Sequence, residues 1–422
     1  MTSGARPRHG SSASRAGLAL RGVLACAVLG GTSLAWVADA PAATAAVGQG
    51  CGDEAPRYLD QEPPALAQLG AQEAWRFATG DGVVVAVVDS GVDDRNPHLE
   101  GAVADGRDVV TGDGTGRTDT WGHGTAVAGI IAARRVADSG VVGLAPGARV
   151  LPVRVYHAEG DDAVEQGVQP TPGRIAAGIT WAAAQGATII NVSMSTDADD
   201  PALRAAVRDA TARGSLVVAS AGNRNTADDK ADDARYPAAY PEVLSVAAVD
   251  AELRPTDASI HGEHVDVAAP GAQVLTVYPG AGDCWYATTE PAPSWSTAYA
   301  SAAAALVAER FPDETPAQWA YRLEVTAARA TPDARTDTTG WGVIRPDVAL
   351  QFVDDGTAAG PPSPVRAPTS TSTVTASPIV VEDTVDPMAQ AREGAVWWVL
   401  GGTAAVALVA LAWRLVSPRR AR

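Results

Sequence analysis

Short apolar runs recur through the middle of the chain, at Val83–Val88, Val150–Val155, Thr188–Val192, Leu216–Ser220, Val243–Val249 and Val265–Ala268. Most are continuous rather than alternating with polar residues, the pattern of strands covered on both faces. Between them lie stretches with helical spacing, many rich in alanine, over His123–Arg134, Gly173–Ala184, Pro201–Ala212 and Thr297–Arg310. Strand and helix alternate from about Gly82 to Val353. That order predicts an α/β body with a mostly parallel central sheet and helices on both faces.

Two apolar runs stand outside this alternation. Near the start, Arg6, Arg8, Arg15 and Arg21 precede an apolar stretch from Gly22 to about Val37, and Ala43-Thr-Ala45 offers a small-residue cleavage site. A charged start, an apolar middle and a small-residue end read as a secretory signal peptide over residues 1–45. Gly30, Gly31, Thr32 and Ser33 break the apolar stretch, which argues against an anchor helix there. Near the end, Ala395–Trp413 carries no charge, has Trp397, Trp398 and Trp413 at its two ends, and is followed by Arg414, Arg419, Arg420 and Arg422. Length, aromatic ends and trailing arginines predict a single membrane-spanning helix over 394–416 with a cytoplasmic tail, 417–422. The main body is then extracytoplasmic and tethered to the cell membrane. Between the two runs lie an N-terminal extension, 46–74, the body, 75–355, and a linker rich in Pro, Ser and Thr, 356–393.

Composition narrows the function. Asp and Glu outnumber Lys and Arg by 49 to 32, a formal charge of −17, and Lys230 is the one lysine. With no dense basic patch, nucleic-acid binding is not expected. There are three cysteines. Cys26 falls within the signal peptide, leaving Cys51 and Cys284, an even pair expected to form a disulfide in an oxidising compartment. Cys and His residues do not cluster at ligand spacing, so neither a metal centre nor an organic cofactor is expected. The acidic loop Asp197–Asp200 reads equally as calcium ligands or as solvated surface.

The candidate chemistry lies in a few short motifs. Val85-Ala-Val-Val-Asp-Ser-Gly-Val92 brings Asp89 off the end of an apolar strand onto a Ser-Gly turn. Alone, such an Asp is a turn residue. Thr120-Trp-Gly-His-Gly-Thr125 follows, with His123 between two glycines at the start of a helix. Small neighbours leave room for a nucleophile or substrate beside an imidazole acting as general base, and an acid of the Asp89 kind would hold its tautomer. Val217-Val-Ala-Ser-Ala-Gly-Asn223 places an amide after a strand and a glycine turn, where it can donate to a developing oxyanion.

Together these motifs resemble the subtilisin-like serine peptidases. Asp89-Ser-Gly, Gly122-His-Gly-Thr and Ala221-Gly-Asn match that family's acid, base and oxyanion motifs. Gly143-Leu-Ala-Pro-Gly-Ala, Ile190-Asn-Val-Ser, Tyr236-Pro-Ala-Ala-Tyr-Pro and Val267-Ala-Ala-Pro-Gly look familial as well. The resemblance covers about Trp75 to Val353. Signal peptide, short cysteine-bearing arm, body, Pro-rich linker and membrane helix are further similar to the mycosins, membrane-anchored proteases of type VII secretion systems. The resemblance implies a polypeptide substrate and association with that secretion machinery.

The nucleophile motif departs from the family pattern, Gly-Thr-Ser-Met/Phe-Ala-x-Pro. Counting back from Ala305-Leu-Val-Ala-Glu-Arg-Phe-Pro312, the segment Ala292-Pro-Ser-Trp-Ser-Thr-Ala298 falls on it and makes Ser294 the nucleophile. Ser296 and Ser301 are the alternatives, and Ser296 lies two residues on, facing elsewhere on a helix. After Asn191-Val-Ser193 the family commonly continues Leu-Gly-Gly, which lines the substrate; here Met194-Ser195-Thr196 stands instead, so Ser193, Met194 and Ser195 are the expected substrate-binding residues. Two functions are open on sequence alone: a membrane-anchored serine endopeptidase working by Asp89, His123 and Ser294, and a subtilisin-like scaffold subunit of a secretion complex with impaired catalysis.

Overall fold

Within the strand Val84–Asp89, Val85 and Val87 join one apolar cluster while Ala86 and Val88 join another. All four are fully buried. A strand with both faces dry needs a layer of helices on each side. The computed structural model describes residues 51, 57–227, 230–366 and 388–416. The expected signal peptide, the cytoplasmic tail and most of the linker lie outside the described residues.

In chain order the body contains α1 (Pro64–Gln68), α2 (Ala71–Ala74), β1 (Val84–Asp89), β2 (Arg107–Asp108), α3 (His123–Ala132), β3 (Arg149–Arg154), α4 (Asp161–Glu165), α5 (Pro172–Ala184), β4 (Ile189–Val192), α6 (Pro201–Ala212), β5 (Leu216–Ser220), β6 (Val243–Val249), β7 (Val267–Pro270), β8 (Val274–Val277), β9 (Asp283–Tyr286), α7 (Pro293–Arg310), α8 (Pro316–Val325) and α9 (Pro346–Ala349). Strands β1 to β7 form one sheet in the order β2-β3-β1-β4-β5-β6-β7, and every pairing in it is parallel. Because β1 lies between β3 and β4, the chain departs to opposite sides at its carboxyl end, where open α/β sheets hold their sites. Helices α5 and α6 cover one face through Ile175, Ile179, Leu203 and Val207. Helices α3, α7 and α8 cover the other.

Helix α7 is the buried axis of that second layer. Every residue from Pro293 to Ala308 is buried except Ser294, which is half-exposed. A helix apolar all round belongs inside a protein, and its many alanines allow close approach to the sheet. The sequence pattern predicts a start near Thr297. The helix begins four residues earlier because Pro293 occupies its first turn, where a missing N–H costs nothing, and Ala292 is extended (φ −134°, ψ 131°), as a residue before proline must be. Strand β7 runs Val267–Pro270 rather than Val265–Ala268; as an edge strand it accommodates a terminal proline. The antiparallel hairpin β8–β9 is an addition to the sequence reading.

The N-terminal extension is built into the body. Leu66, Leu69, Ala71 and Ala74 belong to the same cluster as α3 and α7. Cys51 is disulfide-bonded to Cys284 on β9, with Cα atoms 5.8 Å apart. Asp283 continues the clamp: its carboxylate accepts from Leu59 N (2.8 Å), its N–H donates to the Arg57 carbonyl (2.7 Å), and it faces the buried His98 Nε2 at 3.1 Å.

The second unit, from Ala367 on, contains α10 (Ala389–Val416). Residues Gln390–Leu415 are long and apolar enough to cross a membrane, with mean hydropathy 2.0.

Cutting the crosslink leaves the arm held to β9 by hydrogen bonds and packing alone. Cys51→Ser is expected to lower the unfolding free energy by about 2–5 kcal/mol. Thermal unfolding of the variant, without reductant, would show this as a lower Tm than the parent, and reductant would lower the parent's Tm but not the variant's.

Candidate active site

Asp89 closes β1 with its side chain fully buried. A carboxylate there must be compensated by donors. Its Oδ1 accepts from Ser90 N (2.8 Å), from His123 Nδ1 (2.8 Å) and from the Tyr156 hydroxyl (3.0 Å). Tyr156 follows β3, the parallel neighbour of β1. Its phenol is pushed well above its ordinary range, first by burial and then by Asp89, so it remains a neutral donor.

His123 is the first residue of α3, at the sheet's carboxyl edge beside Asp89. Sequence reasoning assigned the flanking glycines to substrate access; the structure gives them backbone roles instead. Gly122 takes the left-handed conformation (φ 92°) that caps the helix. A Cβ on Gly124 would come within 2.2 Å of the Gly91 carbonyl oxygen. The turn before the helix is tied by Asp119, whose carboxylate accepts from Trp121 N, Gly122 N, Thr125 N and Thr125 Oγ1. An acid three residues before a glycine N-cap, with a Thr three residues beyond it, is a signal the sequence reading passed over.

Burial pulls the His123 imidazole down, while the charge and hydrogen bond of Asp89 push it up, with Glu159 and Asp119 adding to the push; the net direction is upward. Glu159 lines the same cleft, and its carboxyl is raised by the low-dielectric surroundings and by Asp89, against the opposing pull of His123.

The cleft, about 490 Å³, is lined by His123, Ser294, Asn223, Ser193, Met194 and Ser195 among others. The structure therefore brings the expected base, nucleophile, oxyanion donor and substrate-binding residues to the walls of one cleft. Ser294 lies in the first turn of α7, where backbone N–H groups have no intrahelical acceptor. Its Oγ makes no hydrogen bond among the described residues. The competing serines are committed elsewhere: Ser296 Oγ donates to the Ala269 carbonyl (2.9 Å) and Ser301 Oγ to Asn191 Oδ1 (2.9 Å), both fully buried. Asn223 Oδ1 accepts from Asn225 N (3.0 Å), and its Nδ2 donates to none of the described residues.

Ser193 does something different from its neighbours. Its Oγ donates to the Ser294 carbonyl (2.9 Å) and accepts from Asn191 Nδ2 (3.0 Å), so it ties the start of α7 to the end of β4. Met194 and Ser195 are half-exposed and outside any ladder, whereas Thr196 exchanges two backbone hydrogen bonds with Tyr236, both 2.8 Å. In the acidic loop, Asp200 caps α6 through Ala202 N and Leu203 N, and Asp199 pairs with Arg204 and Tyr240.

Sequence reasoning also missed Trp295. It is buried beside Ser294, with its ring 4.8 Å from that of His123 and 5.1 Å from that of Tyr286.

Comparison with known proteins shows the family. The model of the subtilase family (Peptidase_S8) matches residues 80–342. Mycosin-1 of Mycobacterium tuberculosis (strain ATCC 25618 / H37Rv) is 34% identical over 406 residues, 85% of this chain and 86% of that protein. The crystal structure of MycP1 from Mycobacterium smegmatis superposes with a TM-score of 0.61 at 30% identity, covering 74% of this chain and 92% of that one. A chain of the periplasmic assembly from the ESX-5 inner membrane complex gives 0.62 at 30% identity, covering 73% and 88%. Family model, full-length relative and superposed structures coincide: the chain belongs to the subtilases, as a subtilisin-like serine protease related to the mycosins of type VII secretion.

Proposed function

We propose that this protein is a membrane-anchored serine endopeptidase in which Ser294 is the nucleophile, His123 the general base and Asp89 the orienting acid. The observation that carries the reading is the 2.8 Å contact between buried Asp89 and His123 Nδ1, in a cleft onto which Ser294 also opens. With Nδ1–H directed to Asp89, Nε2 is the nitrogen left to accept a proton.

The Ser294 oxygen attacks the carbonyl carbon of a bound polypeptide as its proton passes to His123 Nε2. Asn223 Nδ2 and the Ser294 N–H donate to the oxyanion, whose charge also lies at the positive end of α7. The tetrahedral species collapses as the imidazolium gives its proton to the departing amine, leaving an acyl-enzyme. Water then attacks that ester by the same route, losing its proton to His123, and the Ser294 oxygen recovers one on release of the acid. Asp89 keeps its hydrogen bond to Nδ1 and stabilises the cation. No metal is invoked at any step. Ser193, with the backbone of Met194 and Ser195, borders the bound strand; Thr196 is already engaged with Tyr236.

Helix α10 is the anchor in this reading, and the relatives of type VII secretion suggest the setting: polypeptides exported through such machinery, cleaved on its outer side. The departure of Ala292 and Pro293 from the family motif is compatible with this mechanism, in that the helix start accommodates both.

Two experiments test the proposal. Labelling the purified full-length protein with a fluorescent fluorophosphonate should mark the parent and fail on Ser294→Ala; an unlabelled, folded parent would favour the scaffold reading. Second, only neutral His123 accepts the serine proton. Its upward shift places the acid limb of kcat/KM above the ordinary imidazole value of about 6.5. Asp89→Asn removes the chief upward influence, so the limb should move to lower pH while kcat falls by about ten-thousand-fold. Peptide hydrolysis followed from pH 5 to 9 reads both.

A further inference from the structure

We propose that Trp295 is a positioning residue for His123: its indole fixes the tilt of the imidazole and stabilises the cation formed while the Ser294 proton is in transit. This inference rests on the peptidase reading above.

The geometry begins with what Asp89 leaves undone. One hydrogen bond at Nδ1 pins one point of the imidazole. The ring can still swing about that contact, and the swing displaces Nε2, the atom that must meet Ser294 Oγ. A wall against the ring face removes this freedom. Trp295 supplies it, with centroids 4.8 Å apart and planes inclined by 35°, inside the range of offset aromatic pairs. Trp295 is itself held: it is 1% exposed, and Tyr286 of β9 backs it at 5.1 Å and 45°. Because Trp295 adjoins Ser294 in the first turn of α7, one turn of helix places both the nucleophile and the wall of the base.

The same contact acts on charge. An imidazolium within about 6 Å of an indole centroid is attracted by the ring quadrupole, most strongly where water is excluded. Asp89 of β1, Asp119 of the turn before α3 and Glu159 of the loop after β3 also favour the cation; the Tyr156 hydroxyl reaches it only through Asp89. Desolvation opposes it, as does the positive end of α7. The indole offsets that opposition without adding a titratable group. A methionine, one of the residues of the family pattern here, would fill space but offer no π-face.

The test uses the full chain in detergent, with histidine labelled by ¹³C at Cε1 and the His123 resonance assigned from its loss in His123→Gln. Trp295→Leu keeps an apolar side chain and removes the π-face; Trp295→Phe keeps a smaller one. In Trp295→Leu, His123 should titrate about 0.5–1.5 pH lower than in the parent. Its kcat should fall about 2- to 30-fold with KM nearly constant, the acid limb moving with the titration. Trp295→Phe should fall between. An unchanged titration and kcat in folded Trp295→Leu would overturn the proposal. If that variant fails to unfold cooperatively, Trp295→Phe decides by the same two readouts, and parental values there overturn it. A shifted titration in a protein that never takes the fluorophosphonate would sink the peptidase reading and keep the stack.

Discussion

A carboxylate sealed inside a protein is tolerable only if the surroundings supply donors, and Asp89 organises its surroundings on that condition. The Ser90 N–H, the Tyr156 hydroxyl and His123 Nδ1 all converge on one of its oxygens. The three donors come from the turn after β1, the loop after β3 and the start of α3. Each segment must therefore arrive at the carboxyl edge of the sheet in register. The glycines answer to this crowding: Gly91 and Gly124 lie so close that neither tolerates a side chain, since a Cβ on Gly91 would meet the Thr118 carbonyl oxygen at 2.1 Å. The turn after β1 and the start of α3 are arranged around one oxygen of a buried carboxylate.

The other half of the site depends on packing rather than charge. Helix α7 is buried along its length, so its position is dictated by the sheet beneath it and by α3 beside it. Its first turn alone reaches the cleft. The Ser301–Asn191–Ser193 chain of hydrogen bonds, ending on the Ser294 carbonyl, couples that turn to β4. A serine placed this way inherits the rigidity of the core, which a nucleophile in the proposed reaction would need.

Much of this was legible in the sequence. The order of strands and helices, and the residues Asp89, His123, Asn223 and Ser294, could be read because their signals are local: a strand ending in Asp-Ser-Gly, a histidine between glycines, a serine before an alanine-rich helix. Tyr156, Asp283 and the Trp295–Tyr286 pair were not legible, since each is defined by a neighbour distant in the chain. The start of α7 was placed late for another reason, although Pro293 was compatible with it. Its fixed φ suits the first turn of a helix, but the helical spacing was read only from Thr297 on, four residues after the start at Pro293. The β8–β9 hairpin was missed because its strands are short and lie beyond the run of parallel units.

The bond between Cys51 and Cys284 encloses 233 residues of separation, and with them both β1 and the whole parallel sheet. A protease that nicks any surface loop within that ring therefore does not release a fragment. The two pieces remain one covalent object, still docked through the shared core, and travel together until a reductant parts them. A single cut within the ring is therefore invisible to a mass separation run without reductant, while a second would free the segment between the two.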